Sequence, residues 1–238
     1  VTATLSLWKR QLRVLPDTLW QRSELDVLIL ADNALTEIPP EIARLRRLHT
    51  LDLGHNALTS IPRELTELPL TQYLYLHDNL LTELPRSLGR LTELRYLNVG
   101  DNRLTGLPAT IGAMAGLVEL RAEHNQLAEL PASVGRLGRL RELWLRGNRL
   151  TGLPASVADL ADLRHLDLRD NELTDVPEAL AGLPRLRHLD LRSNRLRTLP
   201  DWLAGLPALE RLDLRWNTVE PARRLLDRLA QRGCAVWA

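Results

Sequence analysis

The amino-acid sequence predicts an α/β solenoid, a right-handed horseshoe with a parallel sheet on its concave side and 3₁₀ turns or short helices on its convex side. Two observations predict it. Asparagine recurs at every twenty-third position without a slip: Asn33, Asn56, Asn79, Asn102, Asn125, Asn148, Asn171, Asn194 and Asn217. Around each one the same text repeats, as in Leu48-x-x-Leu51-x-Leu53-x-x-Asn56-x-Leu58-x-x-Ile61-Pro62. A fixed period of roughly 20–29 residues means stacked coils, each too small to bury its own apolar face.

Within one coil the elements follow in order. Leu51 and Leu53 alternate with polar residues, so they point to one face of a short strand. The chain then turns inward at Asn56, whose amide offers donors and acceptors to a turn that has no sheet partner. Stacked copies let each Asn bond its own coil and the next. After the proline comes an apolar residue every third position, as in Pro39, Ile42, Leu45 and Leu48. That spacing suits a 3₁₀ turn or a short helix.

A single domain is expected, in three parts. Residues 1–24 read as an N-terminal capping coil, with Leu5, Leu7, Leu12, Leu15 and Pro16 in register, Arg10 at the Asn position and Trp20 over the end of the core. Regular repeats span 25–217. Thr71 replaces one repeat leucine and Ala122 another; Gly112, Met114 and Gly116 are expected to loosen the coil between them. Residues 218–238 read as a helix–strand cap. Pro221 suits a first helical position, Leu225, Leu226 and Leu229 form one stripe, and Gly233 ends the helix. Ala235 and Trp237 fall one full period after Leu212 and Leu214, which predicts an eleventh strand with Trp237 sealing the core. At about 4.8 Å per strand the sheet edge should run roughly 50 Å.

The L-x-x-L-x-L-x-x-N-x-L text, matched in many consecutive copies, resembles the leucine-rich repeat family. Its L-x-x-L-P-x-x-L segment is similar to intracellular Ras-group, LAP-scaffold and bacterial Roco repeats more than to the shorter repeats of secreted bacterial ubiquitin ligases. The resemblance implies a binding module without catalytic residues of its own.

Composition excludes several classes. The formal net charge of +1 argues against a dedicated polyanion binder such as a nucleic-acid protein. The single cysteine, Cys234, cannot form an internal bridge, and neither end carries the cysteine-rich caps usual in extracellular leucine-rich repeats. A reducing, cytoplasmic setting is expected. Neither a membrane span nor a signal-peptide profile appears. Lys9 is the only lysine against abundant arginine, a bias often seen in GC-rich bacterial genomes. No phosphate loop, nucleophile elbow, paired cysteines or zinc-binding helix motif is present, so no enzyme, cofactor or metal is expected. His165 and His188 share a column with Asp167 and Asp190 beside them, but a sheet points side chains parallel rather than convergent, which disfavours a metal site.

The informative surface is the set of side chains between the strand leucines. All three tyrosines, Tyr73, Tyr75 and Tyr96, fall on two neighbouring strands of that face. Gly54 and Gly100 leave room around His77, and Trp144 stands three strands beyond Tyr75. Outward rings of this kind either stiffen the sheet or anchor a partner. Further along, Asp167, Asp190 and Asp213 form a column beside Arg169, Arg192 and Arg215. This is either a solvated charge ladder or a docking strip. The expected site is therefore Tyr73, Tyr75, His77, Tyr96 and Trp144 as anchors, with Arg121, Arg146, Asp167, Arg169, Asp190 and Arg192 setting register. The expected partner of this monomer is a protein or peptide, not nucleic acid or membrane. The alternative is a recognition arm of a larger enzyme system, a bacterial effector or a subunit that recruits a ligase or kinase. The terminal cap argues against a chain that continues. A third reading is a purely structural repeat protein or an idealised design, and the irregular coils at Thr71 and Ala122 count against design.

Overall fold

A computed structural model describes residues 2–220 and 222–238. Eleven three-residue strands are described: β1 (Thr4–Ser6), β2 (Val27–Ile29), β3 (Thr50–Asp52), β4 (Tyr73–Tyr75), β5 (Tyr96–Asn98), β6 (Glu119–Arg121), β7 (Glu142–Trp144), β8 (His165–Asp167), β9 (His188–Asp190), β10 (Arg211–Asp213) and β11 (Ala235–Trp237). They pair in parallel in strict sequence order, forming one open concave sheet. From β1 to β10 each residue pairs with its equivalent one period on, as Leu51 with Leu74 and Leu74 with Leu97. The central leucine of each strand therefore stacks into one core column.

The convex side carries five-residue 3₁₀ turns such as Pro40–Arg44 and Arg86–Arg90. A proline precedes each turn, where its missing N–H costs no hydrogen bond. The Ile42 N–H donates to the Pro39 carbonyl at 3.2 Å and the Leu45 N–H to Ile42 at 3.1 Å. At three residues per turn Ile42, Leu45 and Leu48 share one face, and all three are fully buried.

The asparagines close each coil. Asn102 Nδ2 donates to the carbonyls of Leu76 at 3.0 Å, Val99 at 3.1 Å and Gly100 at 3.0 Å, and its Oδ1 accepts the Leu81 N–H at 3.0 Å. The neighbour bonded is thus the preceding coil rather than the following one. Before each of the nine asparagines the backbone turns left-handed, as at Asp32 with φ 61°, His55 with φ 52°, and Asp78 and Asp101 with φ 51°. Short polar residues tolerate that region. Trp216, with φ 60°, occupies the same position and is an exception.

The two irregular coils are repacked. Leu68 is extended with ψ 145°, whereas Leu45 takes ψ 64° and Leu91 ψ 56°. Pro69 forces this, since a residue before proline avoids the helical region. Leu70 then reaches the core one residue early and fills the place Thr71 leaves. Gly112 and Gly116 do not loosen their coil; they let it approach its neighbours. A Cβ on Gly112 would lie 2.3 Å from the Ser133 carbonyl oxygen, and one on Gly116 would lie 2.8 Å from backbone atoms of Thr92 and Glu93. Met114 and Ala122 are fully buried.

The ends are closed differently. Trp20 is buried over the first coil, as expected. At the other end helix α1 (Arg223–Gln231) buries Leu225 and Leu229, and Gly233 follows at φ 81°. The expectation for Pro221 lies outside the described residues. The Arg232 guanidinium donates to the carbonyls of Leu206, at 2.8 Å, and Ala204, tying the cap to the last 3₁₀ turn.

One expectation fails here. β11 pairs Leu212 with Val236 and Asp213 with Trp237, one position beyond the regular period. The helical cap consumes one residue more than a regular coil. In a strand a one-residue slip exchanges the two faces. Val236 therefore packs on the core, and Trp237 does not seal it but stands on the concave face, 43% exposed. No helix among the described residues is long and apolar enough to cross a membrane.

Candidate binding face

The concave face inherits its order from the strands. Side chains flanking each core leucine project outward, and the pairing register lines them up in columns about 4.8 Å apart.

At β4 and β5 the three tyrosines form one cluster. Ring centroids lie 5.9 Å apart for Tyr73 and Tyr75, 5.5 Å for Tyr73 and Tyr96, and 5.0 Å for Tyr75 and Tyr96. Tyr73 is 43% exposed, while Tyr75 and Tyr96 are half-buried. Burial pushes the Tyr96 hydroxyl up to about 12. Burial, then the Asp52 carboxylate, raises Tyr75. Both phenols stay neutral hydrogen-bonding groups. His77 extends the cluster, 6.0 Å from Tyr75 and 5.0 Å from His55. The room expected beside it is occupied by His77 itself, whose ring lies where a Cβ on Gly54 would be, 2.4 Å away. Burial lowers the His77 pKa, and the neighbouring His55 lowers it further.

At β6–β8 the ring of Trp144 is sandwiched. The Arg121 guanidinium lies 4.7 Å from its centroid on one side, and the His165 ring stacks at 4.2 Å from the other. Both flat faces are taken by neighbouring strands, so Trp144 offers a partner its edge. Arg121 is held in place by Glu119, with Nε donating at 2.6 Å.

At β8–β10 each aspartate first serves the backbone. Asp167, Asp190 and Asp213 accept the N–H of Arg169, Arg192 and Arg215 at 3.0, 3.1 and 3.3 Å. Asp52 and Asn98 do the same for Gly54 and Gly100. The Asp column thus ends the strands before it does anything else. Arg192 Nε donates to Asp190 at 2.9 Å and lies 3.4 Å from Asp213, so it bridges two strands. Asp213 also receives Arg215; burial works to raise its pKa, but these hydrogen bonds outweigh it and leave it lowered. Asp167 is only 3% exposed, and burial raises its pKa. It lies on the concave face but is covered there, bonded by the backbone N–H and the guanidinium of Arg169.

Two residues escape a reading by repeat register. Trp237 walls a cavity of about 410 Å³ together with His188, Arg192, Arg211 and Arg215. The repeat register carries no signal for it, because the length of the cap is set by where its helix ends. Trp216, 67% exposed with Arg215 5.4 Å from its ring, is the one tryptophan or tyrosine in the left-handed column among the described residues, visible once the repeats are aligned. His165 and His188 pack edge to face at 5.5 Å. Among the described residues no group of three or more His, Cys, Asp or Glu is arranged to hold a metal ion.

A sequence profile for the leucine rich repeat matches residues 23–81, 72–127, 138–196 and 177–219. No curated protein matches the chain. Among solved structures, a leucine-rich repeat protein of Leptospira interrogans aligns with TM-score 0.55 and 21% identity over 99% of this chain and 95% of its own. An internalin from Listeria monocytogenes aligns with TM-score 0.73 and 23% identity over 92% of this chain and 68% of its own. The Arabidopsis receptor kinase HAESA, solved with the peptide hormone IDA and a co-receptor, aligns with TM-score 0.79 and 30% identity over 91% of this chain. This chain spans 38% of the length of that receptor chain.

Proposed function

Because the chain belongs to the leucine-rich repeat family, we propose that its concave sheet grips an extended protein or peptide segment. The family and the fold typically serve as non-enzymatic binding scaffolds. One observation carries the choice of face: three tyrosines gather within 5.0–5.9 Å of one another on two adjacent strands, pointing away from the core. Such rings lose little entropy on binding, because the sheet and their mutual packing already hold them. Tyr73, Tyr75 and Tyr96 are the anchors, His77 extends them, and the edge of Trp144 continues the track. Arg146, Arg169 and Arg192 set the register of the partner's polar groups. A nucleic-acid partner fits poorly, since Arg121, Arg192 and Arg215 are already paired with acids on their own strands. The buried thiol of Cys234 fits a reducing compartment.

A second reading is that the solenoid is the recognition arm of a larger assembly, and that its binding directs a partner's activity. Both readings need the same face.

The test is selection of peptides on the full chain from a random library, followed by affinity measurement against Tyr73→Ala and Tyr75→Ala. Each anchor removed should weaken binding by about tenfold or more while circular dichroism shows the fold retained. Peptides that bind both variants as tightly as the parent would reject this face.

A further inference from the structure

The middle of the concave face holds a cavity of about 180 Å³ at the C-terminal ends of β6–β8. Its charged walls are Arg121, Arg146 and Arg169 against Asp101, Glu123 and Asp167. Three positive and three negative groups leave it with no net charge. Around it three side-chain atoms are buried without a hydrogen-bond partner: Glu123 Oε2, Arg146 Nε and Arg169 Nε. Arg146 Nε lies 3.5 Å from an Asp170 carboxylate oxygen but makes no hydrogen bond to it. The other groups are better matched: His124 Nδ1 contacts Asp101 at 2.9 Å, and Asp167 accepts the Arg169 N–H. Buried polar atoms without partners are rare, and each one is a group whose hydrogen bonding the chain itself does not complete.

The unpartnered atoms are of both kinds. Two are N–H donors and one is a carboxylate oxygen. A guest with only acceptors leaves Glu123 unmatched, and one with only donors leaves both arginines unmatched. An ionic guest also adds an uncompensated charge to a balanced set in a partly dry site. A hydroxyl and a primary amide are the uncharged groups that carry both; the hydroxyl holds them on one oxygen, whereas the amide sets them on two atoms, which suits groups that follow three adjacent strands about 4.8 Å apart. The volume suits a single side chain.

We propose that this cavity is a carboxamide pocket that seats the side chain of an Asn or Gln on the bound segment. Its carbonyl oxygen accepts from Arg146 and Arg169, and its NH₂ donates to Glu123. Trp144, fixed between Arg121 and His165, forms one wall. Burial raises the Glu123 pKa against its own backbone N–H and the Arg121 guanidinium, which lies 3.7 Å from its other oxygen. The proposal rests on the concave face being the binding surface, and it names what that surface selects at its centre.

The test uses three small probes on the full chain: N-acetyl-glutamine N-methylamide, its carboxylate counterpart N-acetyl-glutamate N-methylamide, and N-acetyl-norleucine N-methylamide, so that the glutamine side chain is the one primary carboxamide among them. Their backbones are identical, so differences report the side chain alone. The arginine Nε–H resonances are followed by NMR, with each probe taken to on the order of 100 mM because isolated groups bind weakly. The glutamine probe should shift Arg146 and Arg169 saturably, about tenfold more tightly than either counterpart. Glu123→Met, apolar but of similar length, should abolish that preference. Tighter binding of the glutamate probe would make the cavity an anion site and overturn the proposal. Equal shifts with all three probes, or none with any, would overturn it as well. These probes do not touch the tyrosine cluster, so such a failure leaves the wider reading to the tyrosine variants.

Discussion

Replacing Asn102 by alanine tests the force that closes the coils. Its side chain is 8% exposed. It donates to the Leu76, Val99 and Gly100 carbonyls and accepts the Leu81 N–H, each at 3.0–3.1 Å. Alanine leaves that N–H buried without a partner, while each carbonyl keeps one: Leu76 from Asn79 Nδ2, Val99 from Asn125 Nδ2 and Gly100 from the Asp78 N–H. The orphaned N–H costs roughly 1–3 kcal/mol, and losing bonds to carbonyls that stay partnered adds about 1 kcal/mol. The expected loss is about 2–4 kcal/mol. Asn33 supplies the control. It makes the same kinds of bond, to Leu7, Leu30, Arg10 and Leu12, but is only half-buried at the end of the stack. Water can replace the amide there, so Asn33→Ala should cost only about 1–2 kcal/mol. Urea unfolding followed by circular dichroism gives both values. Hydrogen exchange should localise the Asn102→Ala defect to the Leu81 and Leu104 coils, because repeats couple to nearest neighbours. Equal losses for the two variants would refute the reasoning, since bond count would then matter and burial would not.

Three further outcomes follow from the same structure. Trp237→Ser should cost less than about 1 kcal/mol and Val236→Asp about 2–3 kcal/mol, because the first faces outward and the second packs on the core; the reverse order in chemical denaturation would restore Trp237 as a core seal. His165 is held below the ordinary 6.5 by burial first and by His188 second. The unfolded chain then takes up a proton that the folded chain refuses, so this stability is present above 6.5 and is lost as the pH falls below it. His165→Gln should flatten the fall in urea midpoint between about pH 7 and about pH 5, and an unchanged slope would assign it elsewhere. The Tyr96 hydroxyl, raised from 10.0 to about 12, should be the last phenol to ionise when absorbance is followed through alkaline pH. Tyr96→Phe should remove that final step, and its persistence would contradict the packing of the cluster.

Much of this protein is written in its repeat. The unbroken period and the Leu-x-Leu and Pro-x-x-Leu spacings determined the strands, the turns and which side chains point outward from the sheet. Each depends only on local geometry: a period of two along a strand, of three along a 3₁₀ turn, and an amide where the backbone turns in. The position of Tyr73, Tyr75 and Tyr96 on one face followed from that alternation alone. Three features were decided only by the tertiary structure. Trp144 lost both flat faces to Arg121 and His165, which lie a coil away along the chain in either direction but adjacent across the sheet. Asp167 sank to 3% exposure because its neighbours' long side chains lie over it. Trp237 changed faces because the helical cap consumed one residue more than a coil. A repeating sequence specifies where each side chain starts, since that is a property of the backbone; where its far end lies is settled by neighbours in space, and at the last strand by the residues a helix needs before the chain can rejoin the sheet.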